Sequence, residues 1–309
     1  MADPLFDLSS LDGSNGFTID GINASDSSGA SVSNAGDING DGIDDLIIGA
    51  PFAASGAGQS YVVFGSTNGF NTSLDFSSLD GSNGFVINGS DTDSAGNSVS
   101  NAGDINDDGI DDLIIGAPGA AFGAGQSYVV FGSISAFNAS LDLSSLNGSN
   151  GFTIKGINGA NSDGIPDSSG KSVSTAGDIN GDDIDDLIIG APSAVLGAGQ
   201  SYVIFGSTSA FSASFDLSSL DGSNGFAING SDTDSAGNSV SNAGDINNDG
   251  IDDLIIGAQG IGKSYVVFGS TSAFSANFDL SSLDGSNGFV VNGNASDFSG
   301  EQRLYHQRD

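Results

Sequence analysis

GDINGDGIDDLIIGAP, residues 36–51, is the stretch whose reading decides the fold. It recurs as GDINDDGIDDLIIGAP at 103–118, as GDINGDDIDDLIIGAP at 177–192 and as GDINNDGIDDLIIGAQ at 244–259. Each copy joins an Asp-rich loop to the apolar run LIIGA. The loop sets oxygen-bearing side chains at alternate positions, a pattern that suits a hard cation such as calcium.

In the first loop Asp37, Asn39 and Asp41 stand at positions one, three and five. Gly42 permits a sharp turn. Ile43, at position seven, would offer its backbone carbonyl, and Asp45 closes the loop at position nine. The same ligand roles fall on Asp104, Asn106, Asp108, Ile110 and Asp112, on Asp178, Asn180, Asp182, Ile184 and Asp186, and on Asp245, Asn247, Asp249, Ile251 and Asp253. The expectation is up to four Ca2+ ions, one per loop. The neighbouring acids Asp44, Asp111, Asp185 and Asp252 are expected to face water. The third loop has Asp183 where the others have Gly, so that Asp must accept a left-handed backbone or distort the site. An EF-hand would need flanking helices and a Glu at position twelve; position twelve of the first loop is Ile48. The competing reading is an acidic turn that binds nothing, because Asn, Asp and Gly are ordinary turn formers.

The loops begin at 37, 104, 178 and 245, at intervals of 67, 74 and 67 residues. Two further markers keep similar time, FDLSSLDGSNGF and its variants from Phe6, Leu74, Leu141, Phe215 and Phe278, and GQSYVVFGS and its variants from Gly58, Gly125, Gly199 and Gly262. An insertion around Asn158–Pro166 accounts for the longer interval. The repeat units run over 6–73, 74–140, 141–214 and 215–277, with a partial fifth over 278–300. Four short strands are expected in each, typified by Ser31–Ile38, Asp45–Ala50, Ser60–Gly65 and Gly16–Ile19. These β-branched and aromatic runs are bounded by Gly, Asn, Asp and Ser. With 49 Gly and no sustained helical period, long helices are not expected. The fold class read from this is all-β, an array of four-stranded antiparallel blades in the manner of a β-propeller, with the metal loop as the hairpin between strands one and two.

With these motifs in place, the unit resembles the FG-GAP repeat of integrin α-subunit β-propellers and their bacterial relatives. The resemblance covers the chain to about residue 300 and implies calcium in the Asp-rich hairpin. Two departures stand out. The fourth copy has Gln259 in place of Pro, and the Phe-Gly of the family is here Ser28-Gly29, Ala95-Gly96, Ser169-Gly170 and Ala236-Gly237. Phe64, Phe131, Phe205 and Phe268 are the candidates to supply the missing packing. Four units and a partial fifth either close a small ring or belong to a larger, incomplete propeller. Residues 301–309, EQRLYHQRD, hold the only Glu, the only His and both Arg. So abrupt a shift reads as a truncation or reading-frame scar. An unpaired blade edge invites self-association.

The net charge of −34 repels phosphates, so nucleic acid is not an expected partner. The absence of Cys excludes disulfides and thiolate metal sites. No ordinary signal peptide and no membrane-length apolar run is present. Calcium loops of this kind fill where calcium is millimolar, which points to an extracellular or cell-surface setting. Catalysis has little to stand on. The only His lies in the atypical tail, no nucleophile elbow, P-loop or zinc spacing occurs, and the Asp residues are spent in the loops. The expected function is a non-catalytic, calcium-binding module for adhesion or protein recognition. The alternatives are a structural spacer, a lectin-like module that binds a surface glycan, and an accessory propeller of a hydrolase. The Asn158–Pro166 insertion is the candidate for a specific contact.

Overall fold

A computed structural model describes residues 7–159, 165–231 and 233–293. Its chain forms four antiparallel sheets in sequence. The first sheet pairs Ser31–Gly36, Asp45–Ala50, Gln59–Val63 and Gly84–Asn88 in that order. The second uses Ser98–Gly103, Asp112–Ala117, Gln126–Val130 and Gly151–Lys155. The third uses Ser172–Gly177, Asp186–Ala191, Gln200–Ile204 and Gly225–Asn229. The fourth uses Ala236–Gly244, Asp253–Ala258, Lys263–Val267 and Gly288–Asn292. The innermost strands stand next to one another in chain order, and no comparable contact among the described residues joins the fourth back to the first. The array is a propeller that does not close on itself.

Two features of the sheets differ from the sequence reading. A fifth strand of three residues pairs parallel on the outer edge of each of the first three blades, at Ser140–Asp142, Ser214–Asp216 and Asn277–Asp279. The blades also straddle the sequence units, because each GF-strand closes the blade begun by the unit before it. The first GF-segment therefore has no sheet of its own. Thr18–Asp20 pairs only with Ser73–Asp75, in the parallel register that Val86–Asn88 makes with Ser140–Asp142. Phe17 stacks on Phe70 at 4.2 Å, as Phe85 stacks on Phe137 at 4.5 Å. Gly16–Asp20 thus sits where the fourth strand of a preceding blade would be.

The inner strand of each blade ends in a bulge, between Asn34 and Gly36 in the first. The Asn34 side chain accepts the Gly36 N–H at 2.7 Å, and Gly36 has φ +67°. A glycine suits this left-handed bulge position. The bulge turns the chain into the Asp-rich loop, so the sequence NAGD builds the entrance to the candidate site.

LIIGA is apolar throughout because both faces of a blade are covered. Ile47, Val62, Phe85 and Ile87 of the first blade pack on Val99, Leu113, Ile115 and Tyr128 of the second. Ile114, Val129, Phe152 and Ile154 meet Val173, Leu187, Ile189 and Tyr202 in the next interface, and Ile188, Val203, Phe226 and Ile228 meet Val240, Leu254, Ile256 and Tyr265 in the third. Phe64, Phe131 and Phe205 each tilt against a stacked pair, Phe85–Phe137, Phe152–Phe211 and Phe226–Phe274. Phe268 meets Phe289 alone, edge-on at 5.9 Å.

Phe152 is fully buried and its counterpart Phe289 is 40 % exposed. Phe152→Ala should therefore cost about 3–5 kcal/mol and Phe289→Ala clearly less. Equilibrium urea unfolding of the two variants checks this, and equal losses would contradict the packing described.

Candidate metal centre

Each Asp-rich loop is a hairpin between the first two strands of a blade, with no helix on either side, which disposes of the EF-hand. The loop wraps its side chains around its own backbone. In the first, Asp37 accepts the N–H groups of Asp41 at 3.0 Å and Gly42 at 2.8 Å. Asn39 accepts the Asp41 N–H at 2.9 Å, and Asp41 accepts that of Ile43 at 2.9 Å. Asp45, the first residue of strand two, accepts the Gly65 N–H at 2.7 Å from across the sheet.

The pattern repeats. Asp104 caps Asp108 and Gly109, Asp108 caps Ile110, and Asp112 accepts from Gly132 and Ile105. Asp178 caps Gly181, Asp182 and Asp183, Asp182 caps Ile184, and Asp186 accepts from Gly206 and Ile179. Asp245 caps Asp249 and Gly250, Asn247 caps Asp249, Asp249 caps Ile251, and Asp253 accepts from Gly269 and Ile246. Asn180 points its amide donor at Asp186, 3.4 Å away. Ile43, Ile110, Ile184 and Ile251 set their side chains against Gly65, Gly132, Gly206 and Gly269, where a Cβ would collide. Asp183 takes the left-handed backbone, with φ +69°, and the third loop keeps its shape.

The position-nine carboxylates carry the unusual electrostatics. Asp45, Asp112, Asp186 and Asp253 have no exposed surface. Burial pushes the Asp45 carboxyl up to about 7; the Gly65 N–H pulls it back, and the charges of Asp41 and Asp37 push it further up. The same causes, burial first, raise Asp112 and Asp186 to about 8 and raise Asp253 as well. One Asp45 oxygen and the Asn106 side-chain oxygen are buried without any hydrogen-bond partner. A buried carboxylate with an unused oxygen, beside two more carboxylates and an amide, is a donor set that fits a hard cation. Among the described residues, no three acidic groups are already gathered into a ready-formed cage, since the loop's own N–H groups take up the oxygens.

The expectation that the acid before position nine faces water holds for Asp44 and fails for the others. Asp111 accepts the Asp37 N–H of the preceding blade at 2.8 Å, Asp185 that of Asp104 at 3.0 Å, and Asp252 that of Asp178 at 3.2 Å. Their side chains fill the space beside Gly36, Gly103 and Gly177 in which a Cβ would stand. Asp185 is raised, chiefly by burial. These acids staple one loop to the next.

A second acid in each blade escaped the sequence reading. Asp26, Asp167 and Asp234 are buried and Asp93 is half-buried. Asp234 accepts the Tyr265 hydroxyl at 3.0 Å and the Ser231 hydroxyl at 2.8 Å, and Asp26 accepts from the Asn23 amide at 3.0 Å. The signal was present as DSSG or DSAG at 26–29, 93–96, 167–170 and 234–237, where the Ser is left-handed every time. The repeated tyrosines stand in the core, each raised above its usual range chiefly by burial.

At the opposite end of strand two lie the loops to strand three. Phe52, Phe122, Val195 and Leu196 project from them, Phe122 with 80 % of its surface exposed. Phe122, Val195 and Leu196 also have left-handed backbones, which is a strained state for bulky residues. The Asn158–Pro166 insertion borders the second of these loops through Asn158 and Gly159, and its residues 160–164 lie outside the described ones.

Comparison with known proteins agrees with this architecture. The profile of the FG-GAP repeat matches residues 28–63, 95–130, 169–204 and 236–267. The chain is 39 % identical over 100 residues to integrin alpha-PS5 of Drosophila melanogaster, a match covering 30 % of this chain and 9 % of that protein. It is 30 % identical over 169 residues to integrin alpha-4 of Xenopus laevis, covering 52 % of this chain and 14 % of that one. The chain therefore corresponds to a small part of either relative.

The raised carboxyls set a pH dependence. Folding holds protons on Asp45, Asp112 and Asp186 that the unfolded chain releases near 3.8. Their contribution is fully present below that value and is lost as pH rises through 7 to 8. The melting temperature of chelator-treated protein should fall from about pH 5 to about pH 9. Asp112→Asn should flatten the fall, and a curve that rises over this range would refute the assignment.

Proposed function

We propose that this chain, which carries four matches to the FG-GAP repeat, is a calcium-stabilised, non-catalytic recognition module working outside the cell. The observation that carries the calcium reading is the fully buried carboxylate at position nine of all four blades. No ion pair among the described residues reaches it. Asp37, Asn39, Asp41 and Asp45, with the carbonyl of Ile43, would hold the ion in the first blade, and the equivalent residues would hold it in the others. The ion would supply positive charge, relieving repulsion among the loop carboxylates and fastening the first hairpin of each blade. Its role is therefore structural, and it would leave the far ends of the blades free for contact.

Recognition is assigned to those far ends. Exposed Phe52, Phe122, Val195 and Leu196 on neighbouring loops present apolar side chains on a rigid frame, a common arrangement for protein contact. A sugar platform would call for exposed Tyr or Trp; the chain has no Trp, and Tyr61, Tyr128, Tyr202 and Tyr265 are buried. The similarity to integrin α-chains favours a protein ligand. No described helix is long and apolar enough to cross a membrane.

Calorimetric titration of chelated protein with calcium, with melting curves alongside, tests this reading. Binding at up to four sites with a marked rise in melting temperature is expected. Asp112→Asn should remove one site. Absence of binding at millimolar calcium, the range of extracellular modules, would reduce the loops to acidic turns.

A further inference from the structure

The three interfaces between blades repeat one set of contacts, and the two outward faces of the array carry the two halves of that set. On the fourth blade Ile255, Phe289 and Val291 are 37 %, 40 % and 47 % exposed, whereas their counterparts Ile47, Phe85 and Ile87 are at most 1 % exposed against the second blade. The space beside Gly244, filled by an Asp at Gly36, Gly103 and Gly177, is empty. Gly49, Gly116 and Gly190 each abut a glycine carbonyl of the next blade, and Gly257 has no such neighbour. On the first blade Val32 and Leu46 are 66 % and 40 % exposed, where Val99, Val173, Val240 and the matching leucines are buried. Asp44 is exposed with no loop to staple, and Gly29 lies open where Gly96, Gly170 and Gly237 meet the blade before.

We propose that the fourth blade of one chain docks on the first blade of a second copy, forming the interface a fourth time. The second copy's Asp44 would enter the space beside Gly244 and accept the Asp245 N–H, as Asp111 does for Asp37. Its Val32 and Leu46 would cover Ile255, and its Gly29 carbonyl would meet Gly257. The occupant is specified by these matched positions, which an unrelated apolar partner would not reproduce. One segment stands in the way. Gly16–Asp20 already holds, against the first blade, the place of a preceding blade's fourth strand, through the Phe17–Phe70 stack and the pairing with Ser73–Asp75. Docking requires Gly288–Asn292 of the incoming copy to displace it, with Phe289 taking the place of Phe17. The segment is therefore a placeholder that holds association back. The contact is head to tail, so copies either close into a ring or add into a filament. The inference does not depend on the calcium or ligand assignments.

Sedimentation velocity at physiological ionic strength, over a wide range of protein concentration, tests it with full-length variants. Phe17→Asp, which loosens the placeholder, should associate at lower protein concentration than the unchanged chain. Adding Val32→Asp or Ile255→Asp to Phe17→Asp should abolish the association. A one-to-one mixture of those two double variants should yield dimers and nothing larger, because one intact interface remains. Asp44→Ala in the Phe17→Asp background should weaken association about tenfold through loss of a charged hydrogen bond. Circular dichroism confirms that each variant keeps its strands. The proposal is overturned if Phe17→Asp remains monomeric throughout, or if it associates equally well with Val32→Asp present, which would place the contact at strand edges.

Discussion

Every blade in this chain is apolar on both faces, and a sheet of that kind buries both only between two others. This constraint governs the rest of the structure. LIIGA and SYVVF cannot alternate with polar residues, because in the second blade Leu113 and Ile115 serve one interface while Ile114 serves the other. Stability is accordingly a sum over neighbours, as in other repeat arrays. The exposed strand residues Val32, Leu46, Phe289 and Val291 lie on the outward sides of the first and fourth sheets for the same reason. The Asp111, Asp185 and Asp252 staples add a polar register to each apolar contact, and fix how far one blade slides along the next.

The Asp-rich loops work within this frame and against it. Asp45 and its three counterparts are drawn into the sheet by a glycine N–H just past strand three, which gives each carboxylate one good bond and removes it from water. Nearby loop carboxylates make that burial worse. The arrangement is coherent as a device for holding positive charge, and the loop's own N–H groups keep its shape meanwhile. In the first three blades the buried carboxylate stands at the start of strand two and exposed apolar loop residues follow its end.

Much of this was legible in the sequence. The bounded β-branched runs marked the strands, and loop position six marked a left-handed turn, including the one Asp183 adopts. What the sequence concealed depends on neighbours. The outer strand SLD is three residues of ordinary polarity, and only pairing with the preceding blade makes it a strand. Asp26 and its equivalents looked like turn residues because DSSG is turn chemistry, and their burial comes from tyrosines some thirty-odd positions away in the sheet. Asp111 looked like a solvated acid because its partner is the backbone of another repeat. Even the site residues were named as ligands without any hint that Asp37 and Asp41 also cap the loop.

The offset between sequence units and blades has a consequence for how such a chain grows. The segment that duplicates is not the segment that folds. Each new copy delivers its GF-strand to the sheet its predecessor began and its short outer strand to the sheet before that, then starts a sheet it cannot finish. A gene lengthened by whole units thus always inherits one incomplete end, and the incompleteness travels with the newest copy. Shuffling at unit boundaries joins half-sheets of different parentage, so inheritance selects units for compatibility across a blade as well as within one.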